Sequence, residues 1–261
     1  MKTSAVPAKK NQSQCRNCDS TLKGAYCHSC GQKHIEGRLT TTALFSQLFE
    51  ALTESDGTLW STLRKLLRNP GRVSLEYVNG TRASYLNPIR FFLVSFTIYL
   101  GLMVLSGAQL DIASRAYQPA LQGDNSVDTT MIATAITETV ASRMDLVILL
   151  VIPILAFFIR WLFWRANRNY AETFTFVCFV LGMGYLYGSA TIPIEYFLNK
   201  FSSIPKNLIT MALFMIGART FFSVGWLGAI FGAIVSSLLY LFTMTGVTTI
   251  IAFGAIVASE L

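Results

Sequence analysis

The sequence predicts an all-α integral membrane bundle of about five transmembrane helices, with a small N-terminal four-cysteine ribbon and cytoplasmic amphipathic helices ahead of it. Three observations predict this fold. Of 261 residues, 52% are apolar and only 13% charged, about half the charge of an average soluble chain. Beyond residue 90 the chain runs through long stretches almost free of charge, at the length a bilayer requires. Four of the five cysteines are confined to Cys15-Arg16-Asn17-Cys18 and Cys27-His28-Ser29-Cys30.

Each Cys-x-x-Cys bends the backbone so that two thiolates face one point, and two such knuckles make a tetrahedral all-sulfur site that suits zinc above other common metals. Between them lie the turn formers Asp19-Ser20-Thr21, then Gly24 and Tyr26, with Gly31 after the last ligand. Cys15, Cys18, Cys27 and Cys30 are therefore read as ligands of a structural zinc ribbon over residues 15–33. The competing readings need an oxidising compartment for disulfides or a βαβ context for a redox motif. His28 or His34 could replace one thiolate, but beside four cysteines a histidine is ordinarily an exposed side chain. A closed four-thiolate site has no open coordination position, so this metal is not expected to catalyse a reaction.

Residues 1–14 are expected to be a disordered tail without a cleavable signal peptide, since no apolar run follows Lys2, Lys9 and Lys10. Residues 41–88 read as cytoplasmic amphipathic or interfacial helices. Leu44, Phe45, Leu48, Phe49 and Leu52 form one apolar stripe, and Leu59, Trp60, Leu63, Leu66 and Leu67 a second, with Arg64, Lys65 and Arg68 on its other side. Pro70-Gly71 is read as the end of the second helix. Such helices can lie among lipid headgroups or pack on the membrane helices as a small soluble layer, and both readings stay open. Arg72, Arg82 and Arg90 lead into the first span and, with Arg165 and Arg168 at a later turn, are read as anchors at an anionic membrane surface.

Residues 89–258 are read as the bundle, with spans at about 90–110, 145–164, 172–195, 204–220 and 225–258 and an outer loop at 111–143. The fourth is the weakest, because its charge-free part from Asn207 to Ala218 is only twelve residues long. Of 21 basic residues, 13 lie at or before Arg90, against 6 of 14 acidic ones. With the N-terminus inside, 17 basic residues fall on the cytoplasmic side and 4 outside, in keeping with the positive-inside rule. A reducing cytoplasm also suits metal-bound thiolates.

The order Cys-x-x-Cys, then Cys-x-x-Cys-Gly-Gln-Lys ending at Lys33, then Asn69-Pro70-Gly71-Arg72, Glu76 to Arg82 and Tyr85-Leu86-Asn87-Pro88 resembles a bacterial family of multi-pass membrane proteins with an N-terminal zinc ribbon, known as domain of unknown function 3667. Trp164 to Phe176 is also similar to that family's link between spans. Asp19 departs from the pattern, standing where a glycine often follows the second ligand. The resemblance implies a bacterial inner-membrane protein and supplies no activity.

The spans hold almost no acids, bases or nucleophiles, and no hydrolase, zinc-protease, Walker or dinucleotide motif occurs, so the protein is not expected to be an enzyme. Glu172, Glu195 and Arg219 are read as interfacial charges at helix ends, and Cys178 as a core residue. Gly184 and Gly188, and Gly228 and Gly232, form GxxxG pairs read as helix-packing contacts within the bundle or between copies of a homo-oligomer. The function expected is that of an adaptor or regulator whose ribbon binds a protein partner. The alternative is a transport or lipid-handling protein with a polar cavity lined by Thr97, Tyr99, Thr191, Thr220, Ser236 or Thr243. Nucleic acid is disfavoured as a partner, because Arg16, Lys23 and Lys33 make no dense patch and would serve anionic lipid equally well.

Overall fold

The structure, a computed structural model, describes residues 14–34, 38–44, 58–107, 144–198 and 204–259. The tail before Gln14, the first amphipathic stripe beyond Leu44 and the loop 111–143 lie outside the described residues. Beyond the cysteine module and one turn at residues 41–44, the described chain is helical: α1 (Thr58–Arg68), α2 (Pro70–Val78), α3 (Pro88–Leu105), α4 (Met144–Leu162), α5 (Tyr170–Phe197), α6 (Ile204–Phe221) and α7 (Trp226–Ser259), with a 3-10 turn at Trp164–Ala166.

Asparagine sets three of the helix starts. Asn69 caps α2 by accepting from the Arg72 N–H, and Asn87 caps α3 by accepting from Ile89 and Arg90; in both a proline follows. Proline's fixed φ suits a first helical position, where its missing N–H leaves nothing unsatisfied. The Pro70-Gly71 pair therefore follows the end of one helix at Arg68, as read, and also opens the next, which the sequence reading did not include. Asn169 caps α5 in a reciprocal capping box with Glu172.

The central element is α5, which packs against α1, α2, α3, α4 and α6, while α7 lies on α4 and α6. From Ala171 to Tyr185 every α5 residue is buried, as suits a helix that is apolar all round. Aromatic rings fill the joints. Phe176 stacks on Phe221 at 5.0 Å, and Phe163, just past α4, stacks on Phe222 at 4.2 Å. Such pairs add about 1 kcal/mol each beyond the area they bury.

Three helices are long and apolar enough to cross a membrane: Pro88–Leu105, Tyr170–Phe197 and Trp226–Val247. They correspond to the first, third and fifth expected spans. The second falls on the shorter apolar stretch Val147–Leu162. The fourth falls on α6, which carries Pro205, Lys206, Asn207 and Arg219 and is not among the three.

The short basic helices pack on the bundle. Leu66 of α1 and Val73, Tyr77 and Val78 of α2 join the main core, and buried Thr62 accepts from the Leu86 N–H at 2.9 Å. Arg64, Lys65 and Arg68 remain exposed on the other face of α1. At the crossing of α2 and α6, a methyl group at Gly71 would overlap the Gly217 carbonyl. Gly184 lies against Thr210, Gly188 against Tyr99 and Lys206, and Gly232 against Phe163. A Cβ at Gly228 would meet nothing nearer than Val224 at 3.4 Å, so this glycine admits no close helix neighbour among the described residues.

Candidate metal centre

The two knuckles repeat one backbone design at an offset of twelve residues. Cys15 N–H donates to Ser20 O and Asp19 N–H to Cys15 O, at 2.8 and 3.0 Å; Cys27 N–H donates to Gln32 O and Gly31 N–H to Cys27 O, both at 2.9 Å. Antiparallel bridges Gln14↔Thr21 and Tyr26↔Lys33 flank them. The turn needs a left-handed residue after the second cysteine, and both copies supply one: Gly31 at φ 72° and Asp19 at φ 60°. Aspartate is among the few residues that adopt this conformation readily. The departure at Asp19 thus leaves the knuckle intact.

The geometry brings the four predicted ligands together. All four Sγ atoms lie within 4.8 Å of one another, with Cys15 to Cys30 and Cys18 to Cys27 at 3.6 Å. A metal–sulfur bond of about 2.3 Å in a tetrahedron needs sulfurs about 3.8 Å apart, so the set fits a metal ion. Ser20 adds a feature that spacing alone did not reveal, its Oγ lying 3.0 Å from the sulfurs of both Cys18 and Cys27. That hydroxyl, with the backbone N–H groups of Cys30 and Ser29, draws the Cys27 thiol down to about 5, while burial pushes Cys30 up to about 11. The module favours thiolate at one ligand before any cation contributes.

The module is fastened to the helices behind it. Gln32, next to the last knuckle, donates to Gly80 O at 2.7 Å and accepts from the Arg82 and Ala83 N–H groups at 2.9 and 3.0 Å. Thr81 donates to Arg16 O at 3.2 Å, and Ser84 to Asn17 Oδ1 at 2.8 Å. Gly80, at φ 109°, lies so close to Arg16 that a Cβ there would sit 2.5 Å from its Cδ. Both knuckles therefore dock on the loop between α2 and α3. Gln32, Gly80, Thr81 and Arg82 all belong to the motifs that carry the family resemblance. The sequence displays those motifs separately, and nothing in their spacing shows that they touch.

A second tether follows the module. Arg38 donates from Nε and Nη2 to the two carboxylate oxygens of Glu172, each at 2.9 Å, and from Nη2 to Asn167 O at 2.8 Å. Asn169 Nδ2 donates to Leu39 O at 2.9 Å. Glu172, in the first turn of α5, is buried: its side chain is 3% exposed, with Arg38 on one side and Arg168 Nη1 at 4.0 Å on the other. Replacing Glu172 with alanine strands these cations and removes half of the α5 capping box. It is expected to lower stability by about 2–4 kcal/mol, read as a fall in thermal midpoint in detergent, whereas Glu172→Gln keeps the cap and loses less.

The proposed anchors are placed unequally. Arg72 is 76% exposed and pairs with Glu76 at 2.9 Å. Lys65 lies over the Tyr85 ring at 4.5 Å and Arg165 over Trp164 at 5.5 Å, and Arg90 is half-buried at the start of α3. Arg82 and Arg168 turn inward: Arg82 lies over Tyr77 at 5.9 Å, and Arg168 donates to Phe221 O at 3.3 Å. Burial lowers the pKa of both below the usual guanidinium value. Cys178 is buried in the core, Arg219 lies over Trp226 at 4.4 Å, and Thr191 and Thr243 donate to backbone carbonyls of their own helices.

Fold and site together define a helical protein with membrane-length spans and a four-cysteine centre that could hold a metal ion. Residues 56–100 match the model of the family described as protein of unknown function (DUF3667), the family that the motifs resemble. The matched segment contains α1, α2, the loop on which the knuckles dock, and most of α3. No curated protein and no solved structure matches the chain.

Proposed function

We propose that the protein is a non-catalytic, multi-pass bacterial inner-membrane protein in which a cytoplasmic zinc ribbon acts as a metal-dependent clamp on the first span and as a regulatory contact for a protein partner. The observation that carries this reading is the docking of both knuckles on the loop before α3. Zinc would hold the ribbon folded through Cys15, Cys18, Cys27 and Cys30, and the folded ribbon presents Arg16, Asn17 and Gln32 to residues 80–84. Bound zinc is therefore linked to the position of the helix that follows. A closed four-thiolate site is built for folding rather than catalysis. The partner would meet the exposed residues 23–26, which end in Tyr26, 61% exposed.

Five spans are part of the proposal. Contacts of Gly188 with Lys206, Gly184 with Thr210 and Phe176 with Gly217 run α6 antiparallel along α5, and α4 packs between α5 and α7, so both lie at the level of the three longer spans. The excess of basic residues before Arg90 supports a cytoplasmic N-terminus and contact with anionic headgroups.

The test is mild crosslinking and pull-down from native membranes with wild type, Cys27→Ser/Cys30→Ser and Gln32→Ala at equal insertion. The partner is expected on wild type and lost from the cysteine variant; an unchanged captured set contradicts a partner-binding ribbon. Gln32→Ala, which removes three docking hydrogen bonds, is expected to keep its metal and to speed hydrogen exchange at Arg82 and Ala83 by roughly tenfold or more. The alternative of transport or lipid handling is favoured by one observation, a small cavity of about 90 Å³ among α4, α5, α6 and α7.

A further inference from the structure

That cavity holds an unusual set of groups for the interior of an apolar bundle. Most of its wall is aliphatic or aromatic, including Leu155, Ile159, Val180 and Phe214, yet Lys206, Ser236 and Tyr240 also line it. Lys206 is not at the tip of the bundle. Its stem lies against Gly188, which is nine residues, or about 14 Å of helix, short of the end of α5 at Phe197. Tyr99, against the same glycine, is six residues or about 9 Å short of the end of α3. The ammonium rests over the rings of Tyr185 at 4.6 Å and Tyr99 at 5.3 Å, and among the described residues it makes no salt bridge. Cation–π contact steadies a cation but supplies no counter-charge.

Two further groups aim hydrogen-bonding capacity at the same space. Ser236 is 6% exposed, and its Oγ has no hydrogen-bond partner among the described residues. Ser95 and Ser189, by contrast, are satisfied by carbonyls of their own helix, Phe91 O and Tyr185 O; Thr175 Oγ1 on α5 is the other buried span hydroxyl without a partner among the described residues, and it does not line the cavity. The Tyr185 and Tyr240 hydroxyls lie 3.1 Å apart. One must donate to the other, which leaves the second O–H free to donate elsewhere. A cation, a serine hydroxyl without a partner among the described residues and a spare phenol line a cavity that also carries Asn207, Thr210 and Ser237, and together they match an anionic headgroup.

We propose that the cavity among α4, α5, α6 and α7 holds the headgroup end of one anionic amphiphile per chain, its carboxylate or phosphate taken by Lys206, Ser236 and the Tyr185–Tyr240 pair, while the alkyl chain leaves this small cavity rather than filling it. The inference stands apart from the role of the zinc ribbon and gives the lipid-handling alternative a ligand class. A lysine within the helical bundle with no carboxylate paired to it among the described residues points to a functional site, and here the cavity beside it supplies the place for the ligand.

The experiment is equilibrium binding of three radiolabelled probes of equal chain length to the purified full chain in neutral detergent: a fatty acid, a lysophosphatidic acid and a monoacylglycerol. Wild type is expected to bind at least one anionic probe at about one per chain and at least about tenfold more tightly than the neutral one. Preference for the phosphate identifies a phospholipid source and preference for the carboxylate a free fatty acid, and either upholds the site. Lys206→Gln is expected to remove the anion preference and Lys206→Arg to restore it. Ser236→Ala, which breaks no bond among the described residues, is expected to weaken anion binding by about threefold without altering neutral binding. Equal binding of anionic and neutral probes by wild type overturns the proposal without any variant, as does a folded Lys206→Gln protein that keeps the preference. Neither result bears on the zinc clamp, because the four cysteines are intact throughout.

Discussion

On the proposed zinc reading, a Cys27→Ser/Cys30→Ser variant is expected to lose metal binding and to unfold residues 15–33 while the helices remain folded. The module has no strand ladder and almost no apolar core of its own: its two bridges are isolated, and the buried apolar residues within it are Cys15 and Cys27 themselves. A module of that size needs a metal to hold it, and in small zinc modules the metal contributes about 10–16 kcal/mol of apparent binding energy at neutral pH. With two ligands gone, little opposes the conformational entropy of the knuckles. Metal analysis is expected to fall from about one zinc per chain to none. Limited proteolysis is expected to cleave within the module at a site protected in the wild type. Retention of metal and of protection by the variant would show that the cysteines are not what holds the module together.

The second large effect is expected at the crossing of α2 and α6. A side chain at Gly71 meets the Gly217 carbonyl, which is backbone and has no rotamer through which to yield. Gly71→Val is therefore expected to force α2 away from α6 and to destabilise the protein by about 3 kcal/mol or more, visible as a drop of roughly 5–10 °C in thermal midpoint. Gly217→Ala is expected to do less, because the first atom its methyl meets is the edge of the Phe176 ring, at 2.8 Å, which can tilt. Gly228→Ala is expected to leave stability unchanged or slightly raised, since Val224 at 3.4 Å is its nearest neighbour. Equal effects at Gly71 and Gly228 would show that this crossing is not a close one.

What the sequence made legible follows from how local each signal is. The ligand set could be read because a knuckle is encoded within a few residues, and three membrane-length helices because charge-free runs need no knowledge of neighbours. The α2 helix was missed because a proline read as a terminator gives no sign that Asn69 ahead of it is a cap. Ser20, Gln32 and Gly80 looked like turn or motif residues, since their roles depend on partners brought close only by folding. Glu172 was read as an interfacial charge because Arg38, 134 residues away, is the group that makes its burial tolerable. The GxxxG spacing identified Gly184, Gly188 and Gly232 as sites of close approach but could not distinguish Gly228, whose face is exposed, nor find Gly71 and Gly217, which share no motif. Lys206, in the first turn of α6, was read only as an outer charge, because its contacts with Gly188 and the Tyr99 and Tyr185 rings arise from packing that its sequence position does not show.

The link between metal and membrane helix is tested most directly by hydrogen exchange on the wild-type protein in lipid nanodiscs, zinc-loaded and after chelation. The Arg82 and Ala83 amides both donate to Gln32 of the metal module, whereas the Thr81 and Leu86 amides on either side donate to Glu76 O and to Thr62. Chelation is expected to release Arg82 and Ala83 to fast exchange while Thr81 and Leu86 change little. Unchanged protection at Arg82 and Ala83 after complete removal of zinc would contradict the clamp.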